Sequence, residues 1–100
     1  MSQHKPKIEK KGVLKKRWKI KRVKAIKDDE ITWEANDGDI TIWFPPGMDP
    51  LEIHQKTISS GTSLTRKIPP NVTGTYEYSI FCHKDKQMVE GNSPPQIIID

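Results

Sequence analysis

The chain has 100 residues, a formal net charge of +4 and a single cysteine. That length suits one domain, which at this size buries roughly two-thirds of its unfolded surface, and a lone cysteine excludes an intrachain disulfide. No apolar run approaches the ~20 residues that span a bilayer, and the N-terminus lacks the apolar region of a signal peptide. We therefore expect no membrane span and a cytoplasmic location, or a periplasmic or exported one if an export signal has been removed.

Basic residues are concentrated at the start of the chain. Residues 1–27 hold twelve of the seventeen Lys and Arg and one acid, so this part carries +11 and the remainder −7. Two interpretations stay open: an arm for an acidic partner such as nucleic acid or anionic lipid, or a tail and a lysine-guarded edge strand against the acidic body. The second is favoured, because Trp18 alone interrupts the basic run with an aromatic ring and so provides no stacking surface for single strands.

The first third of the chain predicts an arm followed by short strands. Residues 1–12 are polar and lysine-rich, which predicts a mobile basic arm before one domain over residues 13–100. Alternation from Val13 to Ile26 predicts a strand, with a bulge where the register slips at Arg22–Val23. A turn at Lys27–Glu30 precedes a strand at Ile31–Glu34. The next turn, Asn-Asp-Gly, consists of residue types that tolerate positive φ.

The middle of the chain predicts a strand and then a helix. Asp39–Phe44 alternates clearly, with Ile40, Ile42 and Phe44 on one face, and ends at Pro45–Pro46–Gly47. Asp49-Pro-Leu-Glu has the form of a helix start, with an Asp cap and Pro in the first turn. These signals predict a short helix to Ile58, in which His54 shares an apolar stripe and packs half-buried.

The last third predicts further strands. Thr62–Ile68 alternates, and Gly74–Cys82 places Tyr76, Tyr78, Ile80 and Cys82 on one face. Ile97–Ile99 predicts a buried final strand. About seven short strands separated by Gly, Pro and Asn predict an all-β, Greek-key β-sandwich with one short helix in a loop; a small Greek-key barrel is the alternative.

The cysteine strand carries a family resemblance. The run Tyr78-Ser-Ile-Phe-Cys82, followed by His83 and Met88 and closing with Gln96-Ile-Ile-Ile-Asp100, resembles the C-terminal half of the cupredoxins, the blue-copper β-sandwich family. The resemblance covers residues 36–100. It implies a cupredoxin-like fold and a type 1 copper centre, which needs two imidazoles, one thiolate and a weak axial thioether.

The ligand set that the resemblance implies is incomplete. Cys82 and Met88 match in type and order, but Asp85, Lys86 and Gln87 stand where the family has its second histidine. The candidate metal ligands of this chain are Cys82, His83, His54 and Met88. Neighbouring strand residues point to opposite faces, so His83 and Cys82 reach one metal only if the strand ends at Cys82. The competing interpretations are Cys82 as a small buried apolar residue and Met88 as a core gap-filler.

No acid pair, phosphate-binding glycine loop or Ser-His-Asp spacing indicates an enzyme. We expect a small non-enzymatic, cupredoxin-like domain with a degenerate copper site and no cofactor, a monomer or weak dimer that binds an unknown protein or polyanion. Two alternatives stay open. One is a copper-binding electron-transfer or copper-handling protein that uses the four candidate ligands, and the other binds nucleic acid or another polyanion through residues 5–27.

Overall fold

Strands are the only regular secondary structure in the computed structural model, which describes residues 2–6, 8–11, 17–20, 22–89 and 95–100. The strands are β1 (Gln3–His4), β2 (Ile8–Lys11), β3 (Arg17–Ile20), β4 (Val23–Ala25), β5 (Glu30–Glu34), β6 (Ile40–Trp43), β7 (Gln55–Ile58), β8 (Ser63–Lys67), β9 (Gly74–Glu77), β10 (Ser79–Cys82), β11 (Gln87–Met88) and β12 (Gln96–Ile99). None of these ranges contains a helix long and apolar enough to cross a membrane. The all-β prediction is confirmed.

The strands form three sheets and a hairpin. The sheet orders are β1-β5-β8, β11-β10-β6-β7 and β4-β12-β9, and β2 pairs with β3. Most neighbours are antiparallel, but β1 runs parallel to β5 and β4 parallel to β12. Only Tyr78 separates β9 from β10, and its N–H donates to the carbonyl of Pro95, directly before β12, at 3.0 Å. The second and third sheets therefore continue into each other, and we call them together the joined layer.

One apolar core lies between the joined layer and the β1-β5-β8 sheet, which gives a β-sandwich-like arrangement. Its centre is aromatic. Trp33 Nε1 of β5 donates a hydrogen bond to Tyr78 Oη at 3.1 Å, and Phe44 stacks on Tyr78 with ring centroids 4.9 Å apart. Burial raises the pKa of the Tyr78 phenol far above its usual value, although the bond from Trp33 opposes this shift. The Trp33–Tyr78 contact fastens the two layers to each other.

The alternation predictions hold where the strands were clearest. Ile40, Ile42 and Phe44 are buried on one face, and Ile80 and Cys82 are buried on the strand that pairs with them. The strand predicted over 62–68 and the final strand are also confirmed, as β8 and β12. The strand predicted over Gly74–Cys82 is divided at Tyr78 into β9 and β10, which pair with different neighbours.

The helix predicted from Asp49 to Ile58 is wrong. The Asp49 carboxylate does accept backbone N–H groups, but from Ile53 at 3.0 Å and His54 at 2.7 Å, further along than a helix cap reaches. Glu52 and His54 have φ of 54° and 58°, values that a right-handed helix does not contain. The segment is therefore an aspartate-centred turn, and its second half is strand β7.

The start of the chain also differs from the mobile arm predicted over residues 1–12. Gln3–His4 pairs with β5, and Ile8–Lys11 pairs with β3. Pro6 is buried, and Lys5 Nζ lies 3.9 Å from Glu34 Oε1. Where a bulge was predicted, at Arg22–Val23, the predicted strand is instead divided into β3 and β4, which pair with different neighbours. Residue 21 and the side chain of Trp18 lie outside the described part of the chain.

A buried carboxylate holds the first strand in place. Asp29 accepts the N–H of Ser2 at 2.8 Å and of Ile26 at 3.1 Å, and its Oδ2 lies 2.9 Å from His4 Nε2. These hydrogen bonds, that of His4 foremost, lower the pKa of Asp29 to about 2. Composition could not reveal this anchor, because Asp29 is far from residues 2–4 in the sequence.

Removing the Asp29 charge should loosen the first strand. The pKa of Asp29 is lower in the folded state than the ~3.9 of an unfolded aspartate, so its stabilisation is complete above about pH 4 and is lost as the pH falls towards about 2. Asp29→Asn should lower the Tm near neutral pH by about 5 °C or more and reduce the acid dependence of the Tm below about pH 4. Thermal melts followed by circular dichroism across this range measure both effects. Asp28→Asn, at a partly exposed neighbour, is the control, and an unchanged acid profile in Asp29→Asn would contradict the role of Asp29.

Candidate functional site

Cys82 ends β10 and faces the core, as predicted, with 1% of its surface exposed. It pairs with Ile40 of β6 on one side and with Gln87 of β11 on the other. A cavity of about 30 Å³ reaches it, lined by Ile8, Glu34, Asn36, Asp37, Ile40 and Cys82. Such a space admits about one water molecule, so the thiol is a poorly accessible group.

An ion pair lies beside this cavity. Lys84 Nζ lies 2.7 Å from Asp37 Oδ1, and hydrogen bonding and then charge attraction to Asp37 raise the pKa of Lys84. Gly38, at φ +92°, lies so close that an added Cβ would be 2.7 Å from Lys84 Cβ. The turn before β6 and the loop after β10 are therefore in direct contact, and the Lys84 ammonium group lies beside Asp37, one of the residues that line the cavity.

His83 lies on the opposite face of the sheet from Cys82. Its Nε2 is 2.6 Å from Thr41 Oγ1, which is 2.8 Å from Thr57 Oγ1. Its ring also meets the ring of Phe81 edge-on, with centroids 5.0 Å apart. Thr41 alternates with the buried isoleucines of β6, so this histidine belongs to the outward surface.

Met88 and His54 lie away from the thiol as well. Met88 pairs with Phe81 across β10 and β11 and is 42% exposed, so it lies on the same outward surface and is no core gap-filler. The His54 side chain is 82% exposed, with Nδ1 3.2 Å from Asp49 Oδ2. It is therefore not half-buried in an apolar stripe.

The structure does not bring the four predicted ligands together. The His54 carbonyl accepts the Phe44 N–H beyond one end of β6, whereas Cys82 pairs at the other end, about 13 Å away at the rise of a strand. Within the described ranges, no group of three or more His, Cys, Asp and Glu side chains could hold a metal ion. A type 1 copper centre requires its thiolate and both imidazoles around one metal, and this placement does not fit it.

The sequence did not reveal a second surface, which we call the aromatic face. It comprises the outward side chains of β6, β7, β10 and β11 together with the adjoining histidine: Thr41, Trp43, Gln55, Thr57, Ser79, Phe81, Met88 and His83. Trp43 is 41% exposed and Phe81 is partly exposed. Trp43 pairs with Ser79 and Phe81 pairs with Thr41, so the two rings are diagonal neighbours on adjacent strands.

Alternation within each strand indicates that these rings point away from the core. Their proximity depends on the register between β6 and β10, which lie far apart in the chain and cannot be aligned from local patterns. No family model matches the chain, and no curated protein matches it.

Proposed function

We propose that this chain is a small non-enzymatic binding domain, a cupredoxin-like Greek-key sandwich whose copper site is degenerate. The inaccessible thiol is the observation that carries the proposal. Cys82 is buried, and the Lys84–Asp37 ion pair stands at the cavity that leads to it. Lys84 offsets the charge of Asp37, and the cavity has room for about one water molecule, so a metal cation would find neither space nor an imidazole beside the thiol.

Strand pairing supports the cupredoxin-like description. The strand that carries Cys82 is internal to its sheet, and a short loop connects it to the strand that carries Met88. Ile97–Ile99 then returns to the same layer, beside β9. Cys82, Met88 and the closing strand β12, whose order in the sequence suggested the family, therefore all lie in the joined layer.

Copper titration tests the proposal directly. We expect neither a thiolate-to-copper charge-transfer band with Cu(II) nor stoichiometric uptake of Cu(I), because the imidazoles lie away from the thiol. Cys82→Ser should lower the free energy of unfolding by roughly 1–3 kcal/mol, since it places a hydroxyl in an apolar site, and Cys82→Ala, which adds no polar group, is the matched control.

A visible band that appears with copper and disappears in Cys82→Ser would overturn the proposal in favour of copper handling. Unchanged spectra, together with a larger loss of stability in Cys82→Ser than in Cys82→Ala, would support it.

A further inference from the structure

We infer that the aromatic face binds single-stranded nucleic acid, with bases stacked on Trp43 and Phe81 and phosphates held by basic residues at its margins. The inference rests on the proposed function, because it names the partner class of that binding domain. It differs from binding through residues 5–27 alone, since it places base contacts on the sheet.

The rings provide a stacking surface. Trp43 exposes 41% of its surface on a strand whose alternate residues form the core, and Phe81 stands diagonally across from it. Diagonal cross-strand neighbours lie about 7–8 Å apart, a separation that adjacent bases of an extended strand can bridge. Base–aromatic stacking of this kind accepts any base, because every base has a π-face.

Neutral hydrogen-bonding groups surround the rings. Thr41 and Thr57 present hydroxyls in a chain that ends at His83, while Ser79 and Gln55 flank Trp43 in the pairing register. Such groups can reach the edges of unpaired bases, which single strands expose and duplexes do not. The surface therefore favours a single strand over a duplex.

Charge on the joined layer is compatible with a polyanion. Residues 28–100 hold twelve of the thirteen acids, yet the outward strand residues of β6, β7, β10 and β11 include none. Elsewhere in the joined layer, the outward strand carboxylate among the described residues is Glu77, whose Oε1 lies 3.5 Å from Gln96 Nε2. Glu77 lies two residues before Ser79, the partner of Trp43, on the same outward side, so a carboxylate borders Trp43, while the outward strand residues around Phe81 carry no negative charge.

Basic residues stand at both margins of the layer. At one margin Lys86 is exposed on the loop before β11, and the described part of the chain offers it no ion-pair partner. Lys56, on the edge strand β7, pairs with the buried Ile42 and so belongs to the opposite face of the sheet. At the other margin, Lys24 is exposed between the buried Val23 and Ala25 of β4. Strand β4 continues the basic segment of residues 1–27, so this segment leads into the same layer as the rings.

The test titrates a labelled oligothymidylate with the full chain at low salt and follows binding by fluorescence anisotropy. The oligonucleotide has about twelve nucleotides, a length within the range that sheet-based single-strand binders cover. Trp43→Ala and Phe81→Ala should each weaken binding about ten-fold or more. Met48→Ala, at a methionine of similar exposure (46%) outside the face, is the control and should bind as the parent chain does. Lys24→Ala/Lys86→Ala should lower the slope of log affinity against log salt by about 1–2.

Circular dichroism melts establish that each variant is folded, and Trp43→Leu, which keeps bulk without a ring, replaces Trp43→Ala if the latter is not. Ring variants that bind as tightly as the parent chain would overturn the inference and assign polyanion binding to the basic segment. Equal competition by a duplex of the same length would also overturn the inference. The absence of any binding would overturn it as well and would indicate a protein partner for the aromatic face. None of these results bears on copper uptake, so the inference can fail while the proposed function stands.

Discussion

Trp33→Ala should lower the free energy of unfolding by about 3–5 kcal/mol, the usual cost of truncating a buried tryptophan. Trp33 is fully buried and is hydrogen-bonded to Tyr78 across the two layers of the sandwich. Domains of this size are stable by about 5–15 kcal/mol in total, so the variant should be partly unfolded under mild conditions. Urea unfolding with linear extrapolation measures the change.

Two further variants separate the causes. Trp33→Phe keeps a ring but removes the N–H donor to Tyr78. It should lower the free energy of unfolding by about 1–3 kcal/mol, because the buried Tyr78 hydroxyl loses a partner. The loss of side-chain volume adds to this cost. Trp43→Ala, at the exposed tryptophan of the aromatic face, should change the free energy of unfolding by no more than about 0.5 kcal/mol. Comparable losses in Trp33→Ala and Trp43→Ala would show that the core is not centred on Trp33.

Gly38→Ala should destabilise the domain by roughly 2–4 kcal/mol, because two costs combine at this position. Its φ of +92° is unfavourable for a residue with a side chain, and the new Cβ would meet Lys84 Cβ at 2.7 Å. That atom is next to the backbone of its loop and cannot move aside as a side-chain tip would. The turn must therefore separate from the loop that follows Cys82.

Gly47→Ala is the matched control, since Gly47 has φ +80° but no neighbouring atom within 4 Å of an added Cβ. It should show the backbone cost alone, about 1–2 kcal/mol. The excess in Gly38→Ala, measured by urea unfolding, reports the contact with Lys84, and a thiol reagent should label Cys82 faster in Gly38→Ala than in Gly47→Ala. Equal stability losses and equal labelling rates would mean that the Gly38–Lys84 contact does not close the cysteine end.

The parts of the fold that were predictable depend on local patterns. Alternation identified the inward faces of β6 and β10 because a period of two is a property of each strand by itself. The helix at Asp49 failed because a capping signature does not specify which N–H groups the carboxylate accepts, and positive φ at Glu52 and His54 gives no signal in their residue types. The anchored first strand and the aromatic face were missed for another reason, since both depend on contacts between distant segments.

The candidate site also combines features that local patterns predict with features that depend on contacts between distant segments. The resemblance selected Cys82 and Met88 by their order in the chain. Strand β10 ends at Cys82, which is the condition under which His83 could have reached the same metal, yet His83 lies on the outward surface and contacts Thr41. Spacing could not reveal that Lys84 reaches Asp37, because this ion pair joins two turns that meet only when β6 and β10 are aligned.

The parallel pairing of β4 with β12 has a consequence for biosynthesis. Val23–Ala25 is made early, yet its sheet neighbour Ile97–Ile99 leaves the ribosome only after more than seventy further residues. Until then the sheet lacks β12, and an apolar slot stays open between its neighbours. Pairing between such distant segments slows folding. The β4-β12-β9 sheet is therefore completed only after Ile97–Ile99 has emerged, and the slot between β4 and β9 is the apolar surface that stays unfilled until then.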